Sequence, residues 1–200
     1  MSGQLPVRRP NNVRALWLLA TGRAEAFALF GADARAYLNS LAPLVALILV
    51  VSALEMLSGA PAKGATLFLT LLTNLLAPAV IAEPLCRRWG CLDRWALFAN
   101  ILNWMQILMA PLLLVVLIVA TLLSAAGVPV AATALLMVFG VLTYVTWLQW
   151  FSARGALRIT RWQAVKLLCA IQLGVALLTI MQVETGAGSF VPPGLSDLIK

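Results

Sequence analysis

The chain has 200 residues, of which 62% are hydrophobic and 10% are charged, and its net charge at neutral pH is +7. Soluble domains are about 45–50% apolar and about 25% charged, so a soluble fold is excluded and lipid is the expected solvent. No histidine occurs, which excludes histidine-dependent acid–base catalysis and histidine ligation of a metal or haem.

The first predicted element is an amphipathic helix over residues 12–31. Charged and polar residues such as Arg14 and Glu25 lie on one side, which is typical of a helix lying in the membrane interface. Gly22 is expected to weaken or split this helix. We therefore assign residues 1–36 to a cytoplasmic N-terminal segment with an interfacial helix. Its apolar face comprises Val13, Leu16, Trp17, Ala20, Ala24 and Phe27.

Five further segments are long and apolar enough to cross a hydrocarbon core of about 30 Å as helices. The predicted fold class is all-α, a polytopic membrane bundle of five transmembrane helices plus the N-terminal interfacial amphipathic helix. Pro111 lacks an N–H, which predicts a kink in the long third span. The transmembrane domain covers 37–182, and a Gly/Pro-containing extracytoplasmic tail covers 183–200. The predicted spans are 37–57, 65–85, 95–124, 130–151 and 162–182.

Basic residues are distributed on one side of the predicted membrane. Twelve lie in the N-terminal segment and in or beside the second-to-third and fourth-to-fifth loops, against Lys63 and Lys200 on the other side. The positive-inside rule then predicts a cytoplasmic N-terminus and a C-terminus on the opposite, outer side of the membrane. Tryptophan at that boundary is typical of anchoring, or of a contact surface for a partner or lipid headgroups. The tryptophans there are Trp17, Trp89, Trp95, Trp147, Trp150 and Trp162.

Polar residues recur inside the apolar third span. In FANILNWMQILMAP (98–111) three amides at three-residue spacing share one helical face, and other polar residues fall at a similar depth. One interpretation is structural, since amides hydrogen-bond across membrane helices for about 0.6–2 kcal/mol each. The other is a polar vestibule open to the cytoplasm, for a substrate or the tail of a partner. The candidate polar cluster comprises Glu83, Asn100, Asn103, Gln106, Gln149 and Arg154.

Two motifs carry a resemblance to a known family. NWMQ (103–106) and LQWFSARGAL (148–157), with RALW (14–17) near the N-terminus, resemble motifs of small, largely uncharacterised bacterial inner-membrane proteins with five predicted spans. That family is similar in layout to the five-span Yip family, whose eukaryotic members associate with Rab GTPases and membrane trafficking. The Asp-Leu-Tyr-Gly-Pro stretch of the eukaryotic branch does not occur in this chain, so Rab binding is not carried over.

No motif for catalysis or for cofactor binding is recognisable. Cys86 and Cys91 lack the CxxC spacing of a zinc site, and P-loop, H-E-x-x-H and G-x-S-x-G patterns are absent. We expect no catalytic residue, no metal and no cofactor, with a non-enzymatic role in organising or scaffolding partners or lipids at the cytoplasmic face. The expected partners are membrane lipids with anionic headgroups, and a protein partner or homo-oligomer, but not nucleic acid. The alternative function is a small solute transporter or channel subunit with a polar vestibule in the cytoplasmic half.

Overall fold

The computed structural model describes residues 12–184, in which no strand occurs. Two short 3₁₀ turns cover Ala24–Ala28 and Leu92–Arg94. Apart from the last residues of the final helix, the predicted tail at 183–200 lies outside the described residues. The helices are α1 (Asn12–Ala20), α2 (Ala34–Leu57), α3 (Pro61–Trp89), α4 (Trp95–Ala125), α5 (Val130–Leu157) and α6 (Arg161–Glu184).

Each predicted span corresponds to one of the long helices α2–α6, and all five are long and apolar enough to cross a membrane. The all-α fold class is therefore confirmed, and the protein is an integral membrane protein with five apolar helices. Helices α3 and α5 continue past the predicted limits at residues 85 and 151, to Trp89 and Leu157. Helix α4 runs through Pro111 as one helix, and a bend at that residue stays a prediction.

Two helix termini at the same end of the bundle have their own capping interactions. Gly90 adopts a left-handed φ of 71°, and the N–H of Cys91 then donates to the carbonyl of Cys86 at 3.0 Å, which ends α3. At the start of α6, the N–H of Gln163 donates to Thr160 Oγ1 at 3.3 Å, and the N–H of Thr160 donates to Gln163 Oε1 at 2.9 Å. This reciprocal capping box fixes the α5–α6 connection.

The five long helices form a closed ring. Helix α2 packs on α3 and α4, α3 packs on α6, and α5 closes the ring between α4 and α6. Helices α3 and α4 also contact each other across the ring. The end of the ring that carries the N-terminal segment and the α3–α4 and α5–α6 connections is called the basic end below.

The N-terminal segment, residues 12–31, docks on the bundle. Helix α1 ends before Gly22, whose φ of 71° turns the chain, so the predicted split at this residue is confirmed. The hydroxyl of Tyr144 in α5 donates to the carbonyl of Ala20 at 2.9 Å. The ring of Phe27 lies directly over Gly155, where a Cβ atom would overlap it. These contacts fasten the segment to the side of α5.

The face by which α1 packs on the bundle differs from the predicted apolar face. Ala15, Leu18 and Leu19 are buried, whereas Val13 and Trp17 are exposed. The prediction placed one apolar face against the membrane and ignored a second set of apolar residues that pack on the protein. With both sets present, α1 can pack on the bundle with one side and present Val13 and Trp17 to lipid with another.

Packing is uneven along the helices. The buried apolar residues concentrate at the basic end, whereas α4 beyond Pro111 has no buried residue and only one stripe of partly buried ones, Leu112, Val116, Ala120 and Leu123. Exposed leucine and valine side chains on the rest of the helix are expected where lipid is the solvent. At the basic end the helices enclose a hydrophobic core, as in a soluble protein. Its buried residues include Leu19, Cys86, Phe98, Ile101, Leu148, Leu157, Ala164 and Leu167.

Candidate functional site

Asn100 joins α4 to the N-terminal segment. Its side chain is almost fully buried, and its Nδ2 donates to the carbonyl of Gly31 at 2.9 Å. Its Oδ1 is buried and has no hydrogen-bond partner among residues 12–184. This amide therefore holds the chain just before α2 against the bundle, which matches the structural interpretation for this residue.

Asn103 joins α4 to α2. Its Nδ2 donates to Ser40 Oγ at 2.9 Å, and Ser40 Oγ in turn donates to the carbonyl of Tyr37 at 2.7 Å. Ser40 is fully buried, so this hydrogen bond crosses a dry helix–helix contact. Sequence reasoning did not select Ser40, although a serine inside an apolar span is a recognisable partner for an amide.

Gln106 and Gln149 face a cleft in the middle of α3, α4, α5 and α6, and Asn103 also lines it. Gln172 in α6 donates from Nε2 to Gln149 Oε1 at 3.1 Å. The side chain of Gln106 makes no hydrogen bond with the rest of residues 12–184. Sequence reasoning missed Gln172, and its only signal was an amide in the apolar middle of α6.

Glu83 and Arg154 do not line this cleft. Glu83 forms an ion pair with Arg87 one helical turn away. The guanidinium of Arg154 lies 5.0 Å from the ring centroid of Trp150, a distance that suits a cation–π contact. The six residues proposed as one cluster therefore fall into three groups. Asn100 and Asn103 bond to other parts of the chain, Gln106 and Gln149 face the cleft, and Glu83 and Arg154 each make a separate charged contact.

The cleft is small, and charged side chains are absent from its walls. Its volume is about 70 Å³, or roughly two waters at their share of liquid volume. Phe98, Met105 and Leu168 line it and are buried, which closes it toward the basic end. On the opposite side the lining residues Leu75 and Val145 are only partly buried. Gln106 is exposed, so the cleft is open beside this side chain, and a vestibule that opens to the cytoplasm stays a prediction.

The helical rise gives the depth of the cleft. Gln106, Gln149 and Pro78 lie about 26–28 Å along α4, α5 and α3 from the helix ends opposite to the basic end. A hydrocarbon core of about 30 Å measured from those ends would stop near this level. With the hydrocarbon core placed from those ends, the amides lie near its boundary with the headgroups.

The N-terminal segment supports the same boundary. Gly22 packs against the ring of Trp147, which lies about 26 Å from the opposite end of α5. Arg23 and Glu25 follow this contact and are exposed. Charged groups are costly in hydrocarbon, so we expect this level to lie at the headgroup region. The helix ends beyond it, together with the N-terminal segment, are called the cap below.

The cap is strongly positive. Of the described residues, ten basic and four acidic ones lie at the basic end, against one basic and two acidic ones at the other end. Arg94 is held internally, through a hydrogen bond of 3.1 Å from its Nη1 to the carbonyl of Ala156. Apart from Arg94 and Arg154, the basic side chains of this end are exposed; they are Arg14, Arg23, Arg35, Arg87, Arg88, Arg158, Arg161 and Lys166.

The tryptophans at this end fall into two groups. Trp17 and Trp162 are 69% and 77% exposed, and Trp147 is also exposed. Trp95 is partly buried and donates from Nε1 to the carbonyl of Ala79 at 2.8 Å, and Trp150 is partly buried as well. The exposed group surrounds the cap at the level inferred for the headgroups, as expected of interfacial tryptophan.

Within residues 12–184, no group of three or more cysteine, aspartate or glutamate side chains comes close enough together to hold a metal ion. Comparison of the chain with protein-family models, with curated proteins and with solved structures finds no match.

Proposed function

We propose that this is a non-enzymatic membrane protein that organises anionic phospholipids at the cytoplasmic face of a bacterial inner membrane. The observation that carries the proposal is the positively charged cap, in which eight exposed basic side chains surround a packed core. Each basic residue near an anionic membrane surface contributes about 1 kcal/mol of attraction. In this orientation the N-terminus is cytoplasmic and the C-terminus periplasmic.

The start of α6 shows how the cap is suited to headgroups. Arg161 and Lys166 are exposed there, and the exposed Trp162 lies between them in the sequence. Tryptophan favours the headgroup level, and the two cations can reach phosphate oxygens from the same helical turns. The capping box of Thr160 and Gln163 fixes the helix end on which they are carried.

The backbone conformation of Arg158 also supports the proposal. It is the one residue other than glycine with a positive φ in the described chain, with φ 53° and ψ 38° at the end of α5. Glycine adopts this conformation without the steric cost that any other residue bears. The side chain of Arg158 is exposed and makes no hydrogen bond or ion pair within residues 12–184, so a role toward an external anion explains its presence.

Thermal unfolding in a neutral detergent, with phosphatidylglycerol or phosphatidylcholine added, tests the proposal. Phosphatidylglycerol should stabilise the wild type more, and this difference should shrink between about 0.1 M and about 1 M salt as the Debye length falls from about 10 Å to about 3 Å. In the triple variant Arg158→Gln, Arg161→Gln, Lys166→Gln, phosphatidylglycerol binding should weaken on the order of 100-fold. Lys63→Gln, at the opposite end, is the control. Equal stabilisation by both lipids would contradict the proposal.

The amide-lined cleft favours a second candidate function, small-solute transport. An uncharged polar site enclosed by four membrane helices is a feature that transport proteins use. Flux of neutral solutes into proteoliposomes, compared between the wild type and Gln106→Leu, tests it. An absence of flux across a broad panel of solutes would leave lipid organisation as the only proposed function.

A further inference from the structure

We propose that the cleft lined by Asn103, Gln106 and Gln149 binds the hydroxyl head of an uncharged lipid, such as a diacylglycerol. The lipid would come from the leaflet at the basic end, with its acyl chains directed toward the middle of the membrane. This site is separate from the exposed basic residues of the cap, so it does not rest on the binding of anionic lipid.

The cleft offers unused hydrogen-bonding groups of both kinds. Gln106 is exposed and makes no hydrogen bond within residues 12–184, so both its amide atoms can bind a ligand, and Gln149 uses only its Oε1, which accepts from Gln172. Asn103 uses its Nδ2 for Ser40 and keeps its Oδ1 available. A hydroxyl group both donates and accepts, so it can bind a carbonyl oxygen and an amide nitrogen at once.

The charge of the lining favours an uncharged head over a phosphate. No charged side chain of residues 12–184 lines the cleft, and an anion taken out of water needs a paired cation or several donors. A hydroxyl group needs only one donor or one acceptor, which the amides supply.

The position of the cleft matches the orientation of a lipid in the leaflet at the basic end. The amides lie near the inferred headgroup level, and the wall continues toward the membrane centre through apolar side chains. Leu75, Met109 and Val145 belong to that wall and are partly exposed. A head bound to the amides would therefore leave its acyl chains in an apolar environment along this wall.

Intact-complex mass spectrometry of the purified full chain in mild detergent tests the proposal. The probes are dioleoylglycerol, phosphatidic acid with the same acyl chains, and free glycerol. Dioleoylglycerol should stay bound, phosphatidic acid should not compete with it at high salt, and glycerol should neither bind nor displace it. Displacement by glycerol would overturn the assignment to a lipid and indicate a site for a free polyol.

Two variants act on the cleft in different ways. Gln106→Leu removes the free amide and should weaken dioleoylglycerol binding about threefold to tenfold. Val145→Phe fills the apolar wall while keeping every amide, and it should also reduce binding. Asn39→Leu removes an exposed amide of α2 outside the cleft and is the matched control. Unchanged dioleoylglycerol binding in both cleft variants, with melting temperatures equal to that of the wild type, would refute the site.

Discussion

Replacing Arg158 by glycine should make the protein more stable while weakening its binding of anionic lipid. Arg158 holds a left-handed backbone conformation between α5 and α6, with φ 53° and ψ 38°. That turn brings the partly buried Ile159 onto the core and lets Thr160 cap α6. The arginine side chain is exposed and makes no hydrogen bond or ion pair in the described chain, so its removal breaks no internal contact.

The size of the effect follows from two opposing terms. A left-handed conformation costs a residue other than glycine about 1–2 kcal/mol. Glycine gives the unfolded chain extra freedom, which offsets about 0.4–1 kcal/mol of that relief. Arg158→Gly should therefore raise the free energy of unfolding by about 1 kcal/mol, or about 2–4 °C in melting temperature for a chain of this size. Loss of the charge should weaken binding to an anionic surface about fivefold.

Two measurements on the same preparations check the expected gain in stability and the expected loss of lipid binding. They are thermal unfolding in neutral detergent and binding to phosphatidylglycerol vesicles. Arg158→Gln is the matched control, because it removes the charge and keeps the backbone cost. It should lose lipid binding with no gain in melting temperature. A lower melting temperature for Arg158→Gly would contradict the backbone argument. Unchanged vesicle binding in both variants would contradict the role of Arg158 toward headgroups.

Three other results are expected. Gly155→Ala should detach the N-terminal segment, because a Cβ there overlaps the ring of Phe27, and limited proteolysis should then cut the segment faster. Gly140→Ala in the same helix is the control, since its Cβ meets no atom within 4 Å and proteolysis should be unchanged. Asn103→Leu should lower the free energy of unfolding by about 0.6–2 kcal/mol through loss of one interhelical hydrogen bond, and an unchanged melting temperature would refute that bond. A reporter fused after Lys200, which lies outside the described residues, should be active on the periplasmic side; activity in the cytoplasm would overturn the predicted orientation.

The number of long helices and the all-α fold class were predictable, because the length of each apolar segment alone determines them. About 20 consecutive apolar residues must form a membrane-crossing helix, whatever their neighbours are. The extension of α5 to Leu157 was not predictable from length, because residues 152–157 are too small and polar to read as a span. They are helical since Ser152, Ala153 and Ala156 pack tightly against other elements of the cap.

The polar residues were correctly singled out, but their grouping depended on tertiary contacts that spacing does not reveal. Asn100 and Asn103 share a helical face with Gln106, yet they bond to Gly31 and Ser40. Both partners are more than 60 residues away along the chain.

The composition of the phospholipid that stays bound to the protein shows whether the cap selects anionic lipid. The protein would be released in mild detergent from vesicles with equal amounts of phosphatidylglycerol and phosphatidylcholine, and the bound lipids identified by intact-complex mass spectrometry. We expect phosphatidylglycerol to be enriched on the wild type and on Lys63→Gln, and the triple variant of Arg158, Arg161 and Lys166 to lose this enrichment. Equal proportions of the two lipids on all three proteins would contradict selection of anionic lipid by the cap.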